Sequence, residues 1–355
     1  MRIAQVAPLF ESVPPKLYGG TERVVSTLTE ELVRRGHEVT LFASGDSNTS
    51  ARLVPCCPES LRLDTSCKDQ LAHHILMLEQ VFSEKENFDI VHFHIDYLHF
   101  PLSRSQGLVN VTTLHGRLDI PDLAPLYRVY ADMPVVSISD AQRASLPWIN
   151  WQGTVYHGYS HDRYRFHPQA GDYLAFLGRV SPEKGLDRAI EIAKAAGRKL
   201  KIAAKVDKAD REYFETTIQP KLNDPLIEFL GEVGYPEKNE FLGNAAALLF
   251  PIDWPEPFGL VMIEAMACGT PVIAYPEGSV PEIMSHGISG FIVDNVESAA
   301  RAVHDIGEID RAACRRYFES RFTDQRMTDD YLAIYERLVG EEPEPLTLSD
   351  GVSVG

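Results

Sequence analysis

The chain has 355 residues, 44% of them hydrophobic and 24% charged, with a formal net charge of -17. That length exceeds what one hydrophobic core usually serves and points to two domains. The acidic balance speaks against broad nucleic-acid binding, which needs basic patches, and no apolar run approaches the roughly 18 residues of a membrane span.

The amino-terminal run Met1-Arg2-Ile3-Ala4-Gln5-Val6-Ala7-Pro8 reads as a buried strand. It is too short and too poorly flanked for a signal peptide, so a cytoplasmic protein is expected. The five cysteines, Cys56, Cys57, Cys67, Cys268 and Cys314, show neither a C-x-x-C pair nor zinc spacing and read as reduced thiols. From there hydrophobic runs alternate with helix-period segments, the pattern of parallel α/β sheets. The first half is predicted to hold strands over 3–7, 38–43, 90–94, 109–114, 135–138 and 154–156, with helices over 22–35 and 70–83. The second half is predicted to hold strands over 173–177, 200–204, 227–230, 246–250, 272–274 and 290–293. Its helices fall at 186–196, 212–222, 236–244, 258–267 and 296–306. A polar stretch with Pro168 and Gly171 divides the chain into a domain over 1–160 and another over 172–322. A last helix is expected over 324–339, followed by a flexible acidic tail over 341–355.

Several strand ends carry residues suited to binding a phosphorylated sugar. Tyr18-Gly19-Gly20-Thr21-Glu22-Arg23 leads into the first helix, and two glycines there let the backbone approach a phosphate closely. The spacing is not G-x-G-x-x-G, which disfavours a dinucleotide-binding dehydrogenase. The preceding loop, 9–17, is long enough to shape a substrate site. His92 and His94, followed by Asp96, share one strand face, but no third metal ligand is placed by the sequence beside the two histidines, so no metal site is expected. Thr112-Thr113-Leu114-His115-Gly116-Arg117 ends another strand and aims His115 at the expected cleft. In the second half, Gly178-Arg179-Val180-Ser181-Pro182-Glu183-Lys184-Gly185 places a planar guanidinium and a point charge at the two ends of one short loop. Such a pair can neutralise a diphosphate and the charge that builds as it leaves. Lys205 lies at another strand end, and Leu230-Gly231-Glu232-Val233-Gly234 at a third.

The most specific segment is Pro251-Ile252-Asp253-Trp254-Pro255-Glu256-Pro257-Phe258-Gly259-Leu260-Val261-Met262-Ile263-Glu264, which places two glutamates eight positions apart. Glu256 sits in a Pro/Gly loop. Glu264 sits on an otherwise apolar helix face, where a lone carboxylate is costly unless something binds it. The N–H groups of Phe258, Gly259 and Leu260 suit an anion or a sugar hydroxyl.

With Ala267-Cys268-Gly269-Thr270-Pro271-Val272 after it, this segment resembles the E-x7-E signature of retaining GT4-type glycosyltransferases, in a bacterial branch. The resemblance runs in order from Gly19-Gly20 to Glu264 and implies the GT-B fold: α/β, two Rossmann-like domains facing across an inter-domain cleft. The last helix would then pack back on the first domain. The resemblance implies a UDP-sugar donor, UDP-glucose foremost, and no cofactor or metal. It gives Glu256, His115, Arg179 and Lys184 catalytic roles, with His115 meeting the sugar 6-hydroxyl. Gly19, Gly20, Arg179, Lys184, Lys205, Val233, Glu256, Phe258, Gly259, Leu260 and Glu264 would hold the donor, Val233 at the base and Glu264 at the ribose hydroxyls. Tyr18, His94, Arg117 and Asp119 would face the acceptor, a small polar molecule or a glycan. Tyr156-His157-Gly158-Tyr159 departs from the family's Asn-Gly-hydrophobic-Asp run, which leaves hinge and acceptor details open. A UDP-sugar 2-epimerase and a non-catalytic sugar-nucleotide-binding protein are the rival readings.

Overall fold

Short β-branched and alanine-rich runs form strands because both faces of each are covered, so they need no polar side. The computed structural model of the chain describes residues 1–340 apart from Tyr18 and Pro236. The expected tail over 341–355 therefore lies outside the described residues, as does the first residue of the helix expected over 236–244.

The first sheet has seven parallel strands: β1 (Arg2–Val6), β2 (Glu38–Ser44), β3 (Arg52–Cys57), β4 (Ile90–Phe93), β5 (Asn110–Thr113), β6 (Val135–Ser137) and β7 (Trp151–Thr154). Their order is β3-β2-β1-β4-β5-β6-β7, which reverses direction beside β1, where doubly wound sheets open a crevice. The first half also holds helices α1 (Gly20–Arg34), α2 (Gln70–Ser83), α3 (Phe100–Ser105), α4 (Leu123–Val129) and α5 (Asp140–Arg143). Alternation decides the layers. Ile3, Ile90 and Val111 face Val24, Leu28 and Leu32 of α1, while Ala4, Val91 and Phe93 face Met77, Leu78, Val81 and Phe82 of α2.

The second sheet has six parallel strands: β8 (Tyr173–Arg179), β9 (Lys199–Lys205), β10 (Ile227–Gly231), β11 (Ala245–Phe250), β12 (Val272–Ala274) and β13 (Gly290–Ile292), ordered β10-β9-β8-β11-β12-β13. One face packs on α6 (Leu186–Ala195) and, later in the chain, α11 (Val296–Asp305). A broken helical run starts as α7 (Arg211–Tyr213) and ends as a tight 3₁₀ turn at Gln219–Asn223. The continuous helix expected over 212–222 fails there because Pro220 lacks the N–H that a regular turn needs. The other face packs on α8 (Glu237–Gly243) and α9 (Leu260–Ala267) and on α12 (Arg311–Arg321), with the short α10 (Val280–Ile283) at its edge.

The last helix, α13 (Asp324–Gly340), lies against α1 on the first sheet. It buries Met327, Tyr331, Ile334 and Tyr335 there, each 5% exposed or less. Burial on this scale contributes about 1.5–3 kcal/mol per large apolar side chain, which ties the two domains together through the crossover. β3 was missed by the strand reading because it contains Pro55; it is tolerated because β3 is an edge strand. The strand expected over 154–156 lies earlier, at Trp151–Thr154.

Candidate functional site

The carboxyl ends of both sheets open into one cleft of about 490 Å³ between the two domains. Gly19, Gly20 and His115 line it from the first domain, and Arg179, Lys184, Lys205, Val233, Glu256, Phe258, Gly259, Leu260 and Glu264 from the second.

On the second-domain wall every basic group meets a carboxylate. Lys184 Nζ donates to Glu256 Oε2. Trp254 Nε1 donates to the same oxygen at 3.0 Å, and the Lys184 ammonium lies 4.5 Å from the centre of the Trp254 ring. Arg179 Nη2 donates to Glu183 Oε1 at 2.5 Å, and Lys205 Nζ lies 2.8 Å from Asp207 Oδ1. Lys238 Nζ lies 3.0 Å from Glu264 Oε2. The cleft is thus lined by pairs whose cations can turn to an incoming anion while the carboxylates turn to hydroxyls.

Glu264 is 3% exposed. Burial alone would raise its pKa, but the charges of Lys238 and Arg23, with the hydrogen bonds from Lys238, bring it below the ordinary glutamate value, and Tyr159 OH donates to its Oε1 at 3.3 Å. Burial also lowers Lys238, and its attraction to Glu264 offsets only part of that. The partner that makes the buried Glu264 tolerable is therefore Lys238, on α8, which the sequence reading did not single out.

Two glycine positions shape the cleft. Gly259 has φ 77°, and a β-carbon there would stand 2.6 Å from Met262 Cε and 3.2 Å from Phe250 Cζ. This left-handed residue makes α9 begin at Leu260 rather than at the expected 258, so the Phe258 and Gly259 N–H groups belong to the entering loop. Gly20, the first residue of α1, would carry its β-carbon 3.0 Å from Leu260 Cδ1 across the cleft. The start of α1 thus packs against the Leu260 side chain of the other domain, where the sequence reading put the diphosphate.

His115 is held at the cleft wall by a buried row of rings behind it. Its Nε2 lies 2.9 Å from His94 Nδ1, and its ring stacks on His157 at 5.3 Å. Burial depresses its pKa to about 3. His94 is 2% exposed and bonded to His115 and Gln5, so it backs His115 and does not line the cleft as expected. His92 bonds through both ring nitrogens, to Tyr335 and Thr113, at 2.7 Å each.

Arg117 and Asp119 bind each other at 2.7 Å and are absent from the cleft lining. Arg117 instead lies over the Trp254 ring at 5.7 Å, on the rim. Charge complementarity two residues apart on an exposed loop satisfies them locally, which corrects their placement toward the acceptor. The Tyr18 expectation falls outside the described residues.

Three further lining residues escaped the sequence reading. Glu22 is 5% exposed, and burial raises its carboxyl to about 7 against the backbone hydrogen bond and the Arg23 charge. Its signal was the acidic residue in the first turn after Gly-Gly. His157 is 2% exposed, makes no side-chain hydrogen bond among the described residues and packs 4.7 Å from the Phe258 ring. Its signal was the departure at Tyr156-His157-Gly158. Lys238 gave none, since a lysine near a helix start reads as surface.

Comparison with known proteins follows the same division into halves. Residues 162–319 match the family model described as Glycosyl transferases group 1, and residues 18–151 match Glycosyltransferase Family 4. A D-inositol 3-phosphate glycosyltransferase of Mycolicibacterium smegmatis is 30% identical over 199 residues, 50% of this chain and 44% of that protein. The matched segment spans under half the length of the first curated relatives, 46% and 44%. A glycosyltransferase involved in avilamycin A biosynthesis superposes with a TM-score of 0.76 at 24% identity, covering 96% of this chain and 98% of that one. An Anabaena protein, HepE, crystallised with UDP and glucose, superposes at 0.72 and 17% identity, covering 95% and 100%. At these identities the structures speak for the fold, which is GT-B. With one family model on each domain and that fold around the cleft, the chain belongs to the GT4-type glycosyltransferases.

Proposed function

We propose that the protein transfers a hexose, glucose foremost, from a UDP-sugar to an acceptor hydroxyl with retention of configuration and without a metal ion. The observation that carries this reading is the pairing of Lys184 with Glu256 beside Arg179, facing the Gly19–Gly20 approach across one cleft. A diphosphate drawn to Arg179 and Lys184 would release Glu256 toward the ring hydroxyls of the sugar. The positive field of the two side chains and of backbone N–H groups would stabilise the leaving diphosphate in place of a metal. The bond from the anomeric carbon to UDP breaks as the acceptor oxygen bonds to the same face, and the acceptor proton passes to the departing phosphate. Val233 lines the cleft where a base would reach its backbone, and Glu264 with Lys238 offers the ribose an acceptor and a donor. The UDP and glucose bound by the Anabaena protein of the same fold support the choice of donor. The acceptor, a small polar molecule or a glycan, enters from the first domain.

Calorimetry against a panel of UDP- and GDP-sugars, followed by donor hydrolysis with and without EDTA, tests this reading. UDP-glucose binding with slow UDP release unchanged by EDTA is the expected result. A folded protein that binds no sugar nucleotide would overturn it.

A further inference from the structure

One hydrogen-bonded row runs from the last helix through the first sheet to the cleft. Gln5 Nε2 donates to Tyr335 OH at 3.1 Å, and Tyr335 OH lies 2.7 Å from His92 Nδ1. Gln5 Oε1 lies 2.8 Å from His94 Nε2, and His94 Nδ1 lies 2.9 Å from His115 Nε2. Gln5 is on β1, His94 just past β4 and His115 just past β5, so three neighbouring strand ends carry the row.

With the Gln5 amide turned so that its oxygen meets His94 and its nitrogen meets Tyr335, donor and acceptor inventory fixes the hydrogens. An amide oxygen only accepts, so His94 Nε2 carries a hydrogen and gives it to Gln5. A neutral imidazole has one N–H, so His94 Nδ1 is a bare lone pair and His115 Nε2 must donate to it. Burial keeps both rings neutral, fully for His94 and in part for His115 at the cleft wall, with His94 well below the ordinary histidine value and His115 at about 3. His115 Nδ1 then has no hydrogen, and no protein group among the described residues bonds to it.

We infer that Gln5, His94 and Tyr335 are positioning residues that lock His115 in its Nε2–H tautomer, so that His115 presents a lone pair to the cleft and selects donor sugars that offer a hydroxyl hydrogen there. The selection rests on the reading of the cleft as a sugar-nucleotide site; the tautomer does not. Tyr335 is the end of the row contributed by α13, so the crossover helix that joins the domains also sets the polarity of a cleft residue. Fluorine accepts a hydrogen bond weakly and cannot donate one. A deoxyfluoro donor at the matching position would therefore meet lone pair with lone pair.

The test begins with histidine-selective ¹⁵N labelling of the nucleotide-free protein and two-bond proton–nitrogen correlation at neutral pH, His115 being assigned by its loss in His115→Gln. A protonated Nε2 and a bare Nδ1 are expected. The opposite tautomer, a charged ring or an averaged pattern overturns the inference. Gln5→Met removes the anchor and should give His115 an averaged pattern; an unchanged pattern in a folded variant overturns the role of Gln5. If that variant does not fold, Tyr335→Phe, which removes one hydroxyl, replaces it with the same two outcomes. For selection, singly deoxyfluorinated UDP-glucoses are compared with UDP-glucose in the wild type and in His115→Ala. One position should lose roughly tenfold to a hundredfold in affinity in the wild type, and that loss should vanish in the variant. Equal losses in both proteins overturn the selection. Failure of UDP-glucose itself to bind would strike the donor reading and the selection, and would leave the tautomer measurement standing.

Discussion

Lys238 Nζ and Glu264 Oε2 lie 3.0 Å apart at the inner end of the cleft, an ion pair whose carboxylate is 3% exposed. Removing the cation leaves a buried charge without its main compensation. Lys238→Met is expected to lower stability by about 3–5 kcal/mol, read from the shift in denaturant midpoint. Glu264→Gln with Lys238→Met should recover much of that loss, and a double variant no more stable than the single one would contradict the pairing.

Lys184 holds Glu256 and rests on the Trp254 ring. Lys184→Met should cut donor hydrolysis by about 10²–10³, the usual cost of removing one group aimed at developing charge. Lys184→Arg should recover only part of this, because a longer, planar guanidinium does not put a compact charge at the same point beside Glu256. Single-turnover release of UDP measures both.

Glu22 gives the cleft a pH dependence. Its carboxyl titrates at about 7, raised from 4.5 by burial. The protonated form dominates below that point and admits an anionic ligand; above it a second negative charge faces the diphosphate. UDP affinity should therefore fall as pH rises through 7, and Glu22→Gln should flatten that fall after the ionisation of UDP itself is shared by both proteins. Calorimetry between pH 6 and 8.5 reads the difference. On stability the sign is the same: the raised carboxyl favours the folded state at low pH, and this contribution is lost as pH rises from 4.5 through 7.

Buried neutral histidines act in the opposite direction. His92, His94, His99, His115 and His157 are all lowered from 6.5, chiefly by burial. Below pH 6.5 the unfolded chain binds protons that the folded chain refuses, so stability falls with pH. Each group adds a slope of about 1.4 kcal/mol per pH unit. His99 bonds Ser103 and Thr112 away from the cleft. His99→Gln should reduce the acid slope without altering UDP affinity. Denaturant midpoints from pH 7.5 to 5 provide the check.

Much of this was legible in residues that act close to home. The Gly19–Gly20 turn, the loop 178–185 and the segment from Glu256 to Glu264 declare themselves because strand, turn and helix start are local in sequence, and the structure brings them to one cleft. Arg117 and Asp119 misled for the same reason: a strand end followed by charges looks like a site, yet the two charges satisfy each other. His94 misled because alternation gives the face of a strand but not what covers it.

The sequence by itself determined the alternation of strands and helices, the two parallel sheets and the chemistry offered at their carboxyl ends, since those follow from hydrophobic period and turn residues. Only the tertiary structure decided that Lys238 answers Glu264, that Arg179, Lys184 and Lys205 each hold a carboxylate, and that Tyr335 reaches Gln5 and His92 across 330 and 243 positions of chain. Those contacts join residues far apart in sequence. Burial and pairing there set charge and tautomer, and neither can be read before the helices are laid on the sheets.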